Sequence, residues 1–108
     1  MSWQNAGPAD LAPGNARAVP LTDSEGHEHL VAIICDQVGQ WYAIDDTCTH
    51  ADVPLSEGDI GEGCVECWAH SAEFDLATGE GTLPAPKPVR TYPLQLVDGD
   101  VLVDVDEN

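Results

Sequence analysis

An all-β fold is predicted: a small antiparallel sandwich or barrel with a two-loop ligand-binding subdomain at one end. Three features of the 108-residue chain point there. Apolar runs are short and separated by glycine, proline and aspartate turns. No segment sustains a 3.6-residue period. Residues 46–72 break the strand pattern with a glycine- and acid-rich stretch that holds three of the four cysteines. The length allows one hydrophobic core, so residues 1–108 are read as a single domain with an insertion at about 46–72.

The elements follow in order. The opening "MSWQNAGPADLAPGNARAVP" has neither a basic n-region nor an apolar h-region, and no later run approaches the length of a bilayer span. A cytoplasmic protein is therefore expected. Ala16–Leu21 and "HLVAIICD" (29–36) read as strands, the second apolar enough for full burial. Val38-Gly39-Gln40 marks a turn before the strand "QWYAID" (40–45). Near the C-terminus, "VRTYPLQLV" (89–97) and "DVLVDVD" (100–106) flank Asp98-Gly99, a strong hairpin signal. Val101, Val103 and Val105 alternate with Asp100, Asp104 and Asp106, as on a strand with one wet face. Pro84, Pro86 and Pro88 make "LPAPKP" a stiff loop.

Twenty acidic residues against three basic ones, Arg17, Lys87 and Arg90, give a formal net charge of −17. That balance excludes nucleic acid and an anionic membrane surface as partners. It favours a basic protein partner approached under electrostatic steering. Acidity also serves solubility or salt adaptation, and charge alone does not separate these roles. In a reducing compartment, four cysteines point to metal or catalysis before disulfides.

The chemistry concentrates in "CTHADVPLSEGDIGEGCVECWAH" (48–70). Cys48 and His50 are one residue apart, Cys67 and His70 two apart, and 16 residues separate the pairs. Each arm offers one thiolate and one imidazole. Pro54, Gly58, Gly61 and Gly63 allow the turns that bring the arms together. Four soft donors of this kind suit a structural zinc, although zinc sites more often group like ligands. Mixed arms also suit two adjacent metals, one taking both thiolates and the other both imidazoles.

The C-x-H…C-x-x-H pattern resembles the Rieske iron–sulfur family. "WYAIDDTCTHADVPLSEG", "CWAHSAEFDLATGE" and "LPAPKP" all look like their counterparts in soluble Rieske ferredoxins. The resemblance implies a β-domain whose [2Fe-2S] cluster sits in two loops screened by a proline loop. It implies that Cys48 and Cys67 bind the inner iron and His50 and His70 the outer one. Two ferric ions, two sulfides and two thiolates sum to zero with neutral imidazoles, whereas an all-thiolate cluster is anionic. Histidine ligation therefore raises the potential. The respiratory members carry one further cysteine per loop, joined as a disulfide; here those positions are Val53 and Ala69. They also carry a serine and a tyrosine that donate hydrogen bonds around the cluster; here those positions are Ala72 and Phe74. A potential near the bottom of the Rieske range, about −150 mV, is expected. Trp68 and Ser71 replace the proline and glycine found in many relatives.

Other reactive residues have plainer readings. Cys64 forms a C-x-x-C with Cys67 but reads as a strand residue entering the second arm, and Cys35 as core. His27 and His29 read as exposed residues of a hairpin turn, Asp46 and Asp75 as turn or cap residues, and Trp68 as packing or docking surface. No candidate nucleophile–base pair appears, and the resemblance implies an electron carrier and not an enzyme. The resemblance implies as partners the basic face of a flavoprotein reductase and an acceptor oxidoreductase, most often a ring-hydroxylating oxygenase. A nitrite reductase small subunit and an iron–sulfur assembly protein are alternatives within the family. A zinc-stapled interaction module is the alternative outside it.

Overall fold

A computed structural model describes residues 3–47, 54–67, 73–81 and 88–106. Within them the chain forms antiparallel sheets and no α-helix. The strands are β1 (Trp3–Pro8), β2 (Asn15–Thr22), β3 (Glu28–Cys35), β4 (Trp41–Asp45), β5 (Asp59–Ile60), β6 (Cys64–Glu66), β7 (Glu73–Asp75), β8 (Thr91–Tyr92), β9 (Leu94–Val97) and β10 (Asp100–Asp104). Three sheets result, ordered β1-β10-β9, β2-β3-β4-β8 and β5-β6-β7.

The apolar run in β3 has a clear cause. The strand is buried on both faces, so it cannot alternate. Val31 and Ile33 enter one core with Ala6, Leu21, Ala43, Tyr92, Val101, Val103 and Val105. Ala32 and Ile34 enter a second core with Ile44, Leu55, Val65, Cys67, Phe74, Leu76 and Val89. The middle sheet is thus shared. One face closes the sandwich against β1-β10-β9, and the other receives the small β5-β6-β7 sheet. Cys35, at the end of β3, is 2% exposed, as the sequence reading expected of a core residue.

The hairpin at Asp98-Gly99 forms as read, with φ of 51° and 82° at the two turn positions. Segment 89–97 departs from the single strand expected. Pro93 has no N–H to donate and splits it: β8 pairs with β4, while β9 pairs with β10 in the other sheet. Its carbonyl still accepts the Asp104 N–H at 3.1 Å. Asp104 also departs from the wet face assigned to it. It is fully buried, and its Oδ1 accepts the Asp106 N–H at 3.0 Å. β1 and the short strands of the tip sheet carry no alternation long enough to announce themselves.

Candidate metal centre

The first ligand arm leaves β4 at Asp45. Asp46 is 1% exposed and holds three strands of chain. Its N–H donates to the Leu30 carbonyl of β3 at 2.9 Å, and its own carbonyl accepts the Leu55 N–H. Its Oδ1 accepts the Ser56 N–H at 2.8 Å. A bridge between Thr47 and Pro54 closes the loop between them. Cys48 and His50 lie inside that loop, outside the described residues.

The second arm leaves β6. Cys67 follows Glu66 directly and is fully buried within the second core. His70, with Trp68, Ser71 and Ala72, lies outside the described residues. The chain returns on β7, where Asp75 Oδ1 accepts the N–H groups of Ala77 and Thr78 at 2.8 and 3.1 Å. Asp46 and Asp75 are therefore the capping residues the sequence reading made them.

The bases of the two arms are packed together. Leu55, where the first arm closes, shares one buried cluster with Val65, Cys67 and Phe74. Gly58, just beyond it, lies so close to the Glu66 carbonyl that any Cβ there would collide with it. The first arm's exit thus presses against the residue preceding Cys67. A deeply buried thiol beside the closing turn of a C-x-H loop fits a metal cluster held between two arms, because both arms must reach one small inorganic core.

Cys64 has different surroundings. It begins β6, makes no disulfide, and directs its Sγ at Glu73 Oε2, 3.7 Å away. Burial first, then the Glu73 charge, push its thiol pKa up. A suppressed thiolate is the wrong form for dithiol exchange. Burial also pushes up the Cys35 thiol.

A polar chain ends at Asp45, where β4 ends. The Tyr92 hydroxyl donates to Asp45 Oδ1 at 2.5 Å, and His29 Nδ1 lies 3.4 Å from the same hydroxyl. His29 Nε2 meets Asp23 Oδ2 at 2.8 Å. The His29 side chain is 17% exposed, which corrects its assignment to an exposed turn; His27, at 71%, fits that assignment. The hydrogen bond from His29 is the main cause holding the Asp23 carboxyl down at about 2. Burial, then Asp45, push the Tyr92 hydroxyl far above its ordinary value. Arg90 covers the Tyr92 ring, 5.0 Å from its centroid. The partners in this chain lie 6, 63 and 47 residues apart, so only the fold brings them together.

Residues 2–93 match the Rieske [2Fe-2S] domain family. The chain belongs to that family. Its cofactor is a Rieske-type [2Fe-2S] cluster. This Rieske protein is 43% identical over 98 residues to the ferredoxin component of biphenyl 2,3-dioxygenase from Rhodococcus jostii (strain RHA1), a match covering 90% of this chain and 86% of the relative. Among solved structures, it superposes on the ferredoxin of carbazole 1,9a-dioxygenase from Nocardioides aromaticivorans IC177 with a TM-score of 0.78 and 32% identity, covering 96% of this chain and 98% of that one. A chain in the complex of reduced oxygenase and oxidized ferredoxin of carbazole 1,9a-dioxygenase matches with the same TM-score at 29% identity, covering 93% of this chain and 99% of that one. A nitrite reductase small subunit from Mycobacterium tuberculosis matches at 24% identity, which carries the fold alone.

Proposed function

We propose that this Rieske protein is a ferredoxin that carries single electrons from a flavoprotein reductase to the terminal oxygenase of an aromatic-ring dioxygenase system. Cys48 and Cys67 hold the inner iron of the cluster, and His50 and His70 the outer iron. The cluster-binding segment spans about 46–72, within a single Rieske domain of residues 1–108. The observation that carries this reading is the buried Cys67, packed through Leu55 and Gly58 against the end of the first C-x-H arm. The ferredoxin components of biphenyl and carbazole dioxygenases among its relatives support the electron-carrier role over that of a catalytic subunit. The bound cluster takes up and gives back one electron. The protein's residues anchor it, exclude water from Cys67 and present a charged face. No helix among the described residues is long and apolar enough to cross a membrane, in keeping with a cytoplasmic location.

Charge supports a basic partner. Arg17 is held by Asp10 and by the carbonyls of Ala6 and Pro8, and Arg90 by the Val105 carbonyl and the Tyr92 ring. Neither is free to offset the acids of the tip. Glu57, Asp59, Glu62, Glu73, Asp75 and Glu80 are all exposed there. Glu66 and Glu73 stand directly opposite each other across β6 and β7, which concentrates negative charge at the tip. A basic reductase or oxygenase face complements that charge on docking.

Stopped-flow reduction of the purified protein by a flavoprotein reductase tests both halves. A reddish-brown protein that takes up one electron per chain is expected. Its second-order rate should fall as ionic strength rises through the range where the Debye length shrinks from about 30 to 10 Å. A colourless protein would end the carrier reading. A rate that is flat or rises with salt would end charge steering.

A further inference from the structure

The sheet β5-β6-β7 pairs with neither of the other two sheets. Apolar contact in the second core holds it against the middle sheet, but such contact is non-directional and permits sliding and tilt. Direction comes from hydrogen bonds at separated places. Beyond β7, the Gly79 carbonyl accepts the Val89 N–H at 2.7 Å. Two further places hold the tip. One is the Asp46 cluster at the base of the first arm. The second is the β3–β4 turn. There Gln37 donates its N–H to the Gly61 carbonyl at 3.1 Å and its Nε2–H to the Ile60 carbonyl at 3.0 Å.

Asp36 stands at the centre of that second attachment. It is 1% exposed. Its Oδ1 accepts the N–H groups of Val38 and Gln40 at 3.1 and 2.8 Å, which is enough to close the turn. Its Oδ2 leaves the turn and accepts the Gly63 N–H at 2.8 Å, 27 residues along the chain. The Gly63 carbonyl in turn accepts the Leu76 N–H at 2.9 Å, so one carboxylate oxygen is linked to the start of the central strand β6 and the end of β7. Gly63 lies four residues before Cys67, about 13 Å of extended chain. Fixing one end of β6 at Gly63, with the other pressed on Gly58, removes the tilt that would carry Cys67 away from the first arm.

We propose that Asp36 is a positioning residue for the cluster, setting through Gly63 the placement of Cys67 relative to the first arm. This rests on the ligand assignment given above. Metal sites tolerate about 0.5 Å of slack, so losing this bond should alter the cluster as well as the fold.

The test compares variants of the cluster-loaded protein. Asp36→Asn keeps one carbonyl oxygen for the turn and turns an NH2 donor toward the Gly63 N–H. Expected are shifted EPR g values and chelator-driven cluster loss faster by roughly tenfold, the scale of one hydrogen bond to a charged acceptor. Asp75→Ala is the control. It removes two backbone hydrogen bonds within the tip but none between sheets, and should lower thermal stability with unchanged g values. Wild-type g values and loss rate in Asp36→Asn would overturn the proposal, as would equal changes in Asp75→Ala. If Asp36→Asn does not fold, the exposed Gln37→Ala decides: a smaller shift in the same direction supports the proposal, and no change overturns it. Cys67→Ala reports separately on the ligand assignment, because a cluster retained in that variant breaks the assignment whatever Asp36 does.

Discussion

The base of the molecule and its tip are held together differently. In the base, β2 and β3 pair over eight residues without a break, and each β3 side chain from Val31 to Cys35 is buried. That length of pairing and burial anchors the middle sheet. In the tip, β5, β6 and β7 are two or three residues long. Short strands of this kind hold no independent structure. Single carboxylates, close glycine contacts and the cluster must supply what strand length does not. On the proposed ligand assignment the base is a scaffold, and the tip is a site whose folding would be coupled to what it binds.

The sharpest way to break that comparison is to remove the cluster. Cys48→Ala and Cys67→Ala should lose iron and sulfide completely, while Cys35→Ala and Cys64→Ala keep both. In the two cluster-free proteins, amide exchange should rise throughout β5–β7 and stay slow in β2 and β3. Fast exchange in both regions would show that base and tip are one folding unit. Cluster loss in Cys64→Ala with retention in Cys67→Ala would reverse the ligand assignment.

A second pair of variants separates the two cores. Ile33→Ala, in the sandwich core, and Leu55→Ala, in the core shared with Cys67, should each cost about 2–5 kcal/mol. Only Leu55→Ala should speed cluster loss in chelator. Denaturant unfolding gives the stability term, and bleaching of the visible spectrum gives the cluster term. Equal bleaching rates would erase the functional boundary between the cores.

The same boundary governs what the sequence reveals. The strands β2, β3, β4 and β10 are legible because burial writes a pattern of two or of unbroken apolar residues into Val31–Cys35 and Val101–Val105. The proposed ligands are legible for another reason: a metal centre shared by Cys48, His50, Cys67 and His70 would fix their spacing. Between these lies what neither rule writes. Asp36 reaches Gly63, and Tyr92 reaches Asp45 and His29, across separations that only the folded topology closes. The break at Pro93 was visible as a residue but not as a consequence, because a proline loses its ladder bond without saying which sheet the chain joins next.

The polar chain that ends at Asp45 makes a pH prediction at each end. Asp23 is held at about 2, below its ordinary value of 3.8, so its contribution is complete above the ordinary value and is lost as pH falls toward 2. Tyr92 is shifted the other way. Its neutral form is favoured in the native state, so its contribution is complete below about 10 and is lost as pH rises beyond. Tyr42, the only other tyrosine, is also pushed up, chiefly by burial. Tyrosinate absorbance should therefore develop only together with alkaline unfolding. Ionisation of one tyrosine well before unfolding would show that the Tyr92–Asp45 bond is weaker than its geometry indicates. Tyr92→Phe should cost about 1.5–3 kcal/mol, the worth of a hydrogen bond to a charged group.

The smallest expected effect lies at Phe74. Its ring is fully buried in the cluster of residues that contains Cys67, while Ala72 lies outside the described residues. Reduction adds negative charge, so a donor near the sulfurs stabilises the reduced form more than the oxidised one. Phenylalanine offers none, which is the basis for expecting a potential of about −150 mV. Phe74→Tyr and Ala72→Ser should each raise it. A full hydrogen bond to a charged group is worth roughly 1.5–3 kcal/mol. About half of that is differential, because the oxidised cluster also accepts the bond, though more weakly. At ~59 mV per 1.4 kcal/mol for one electron, the rise is roughly 30–65 mV per donor. The tight packing around Phe74 opposes it, since an added hydroxyl needs both room and aim in a closed core. Protein-film voltammetry on the single and double variants resolves the contest. A raised potential in Phe74→Tyr would make this core position part of the electronic site. An intact cluster with an unmoved potential would make it packing alone, and would place control of the potential with net charge and solvent access at the tip.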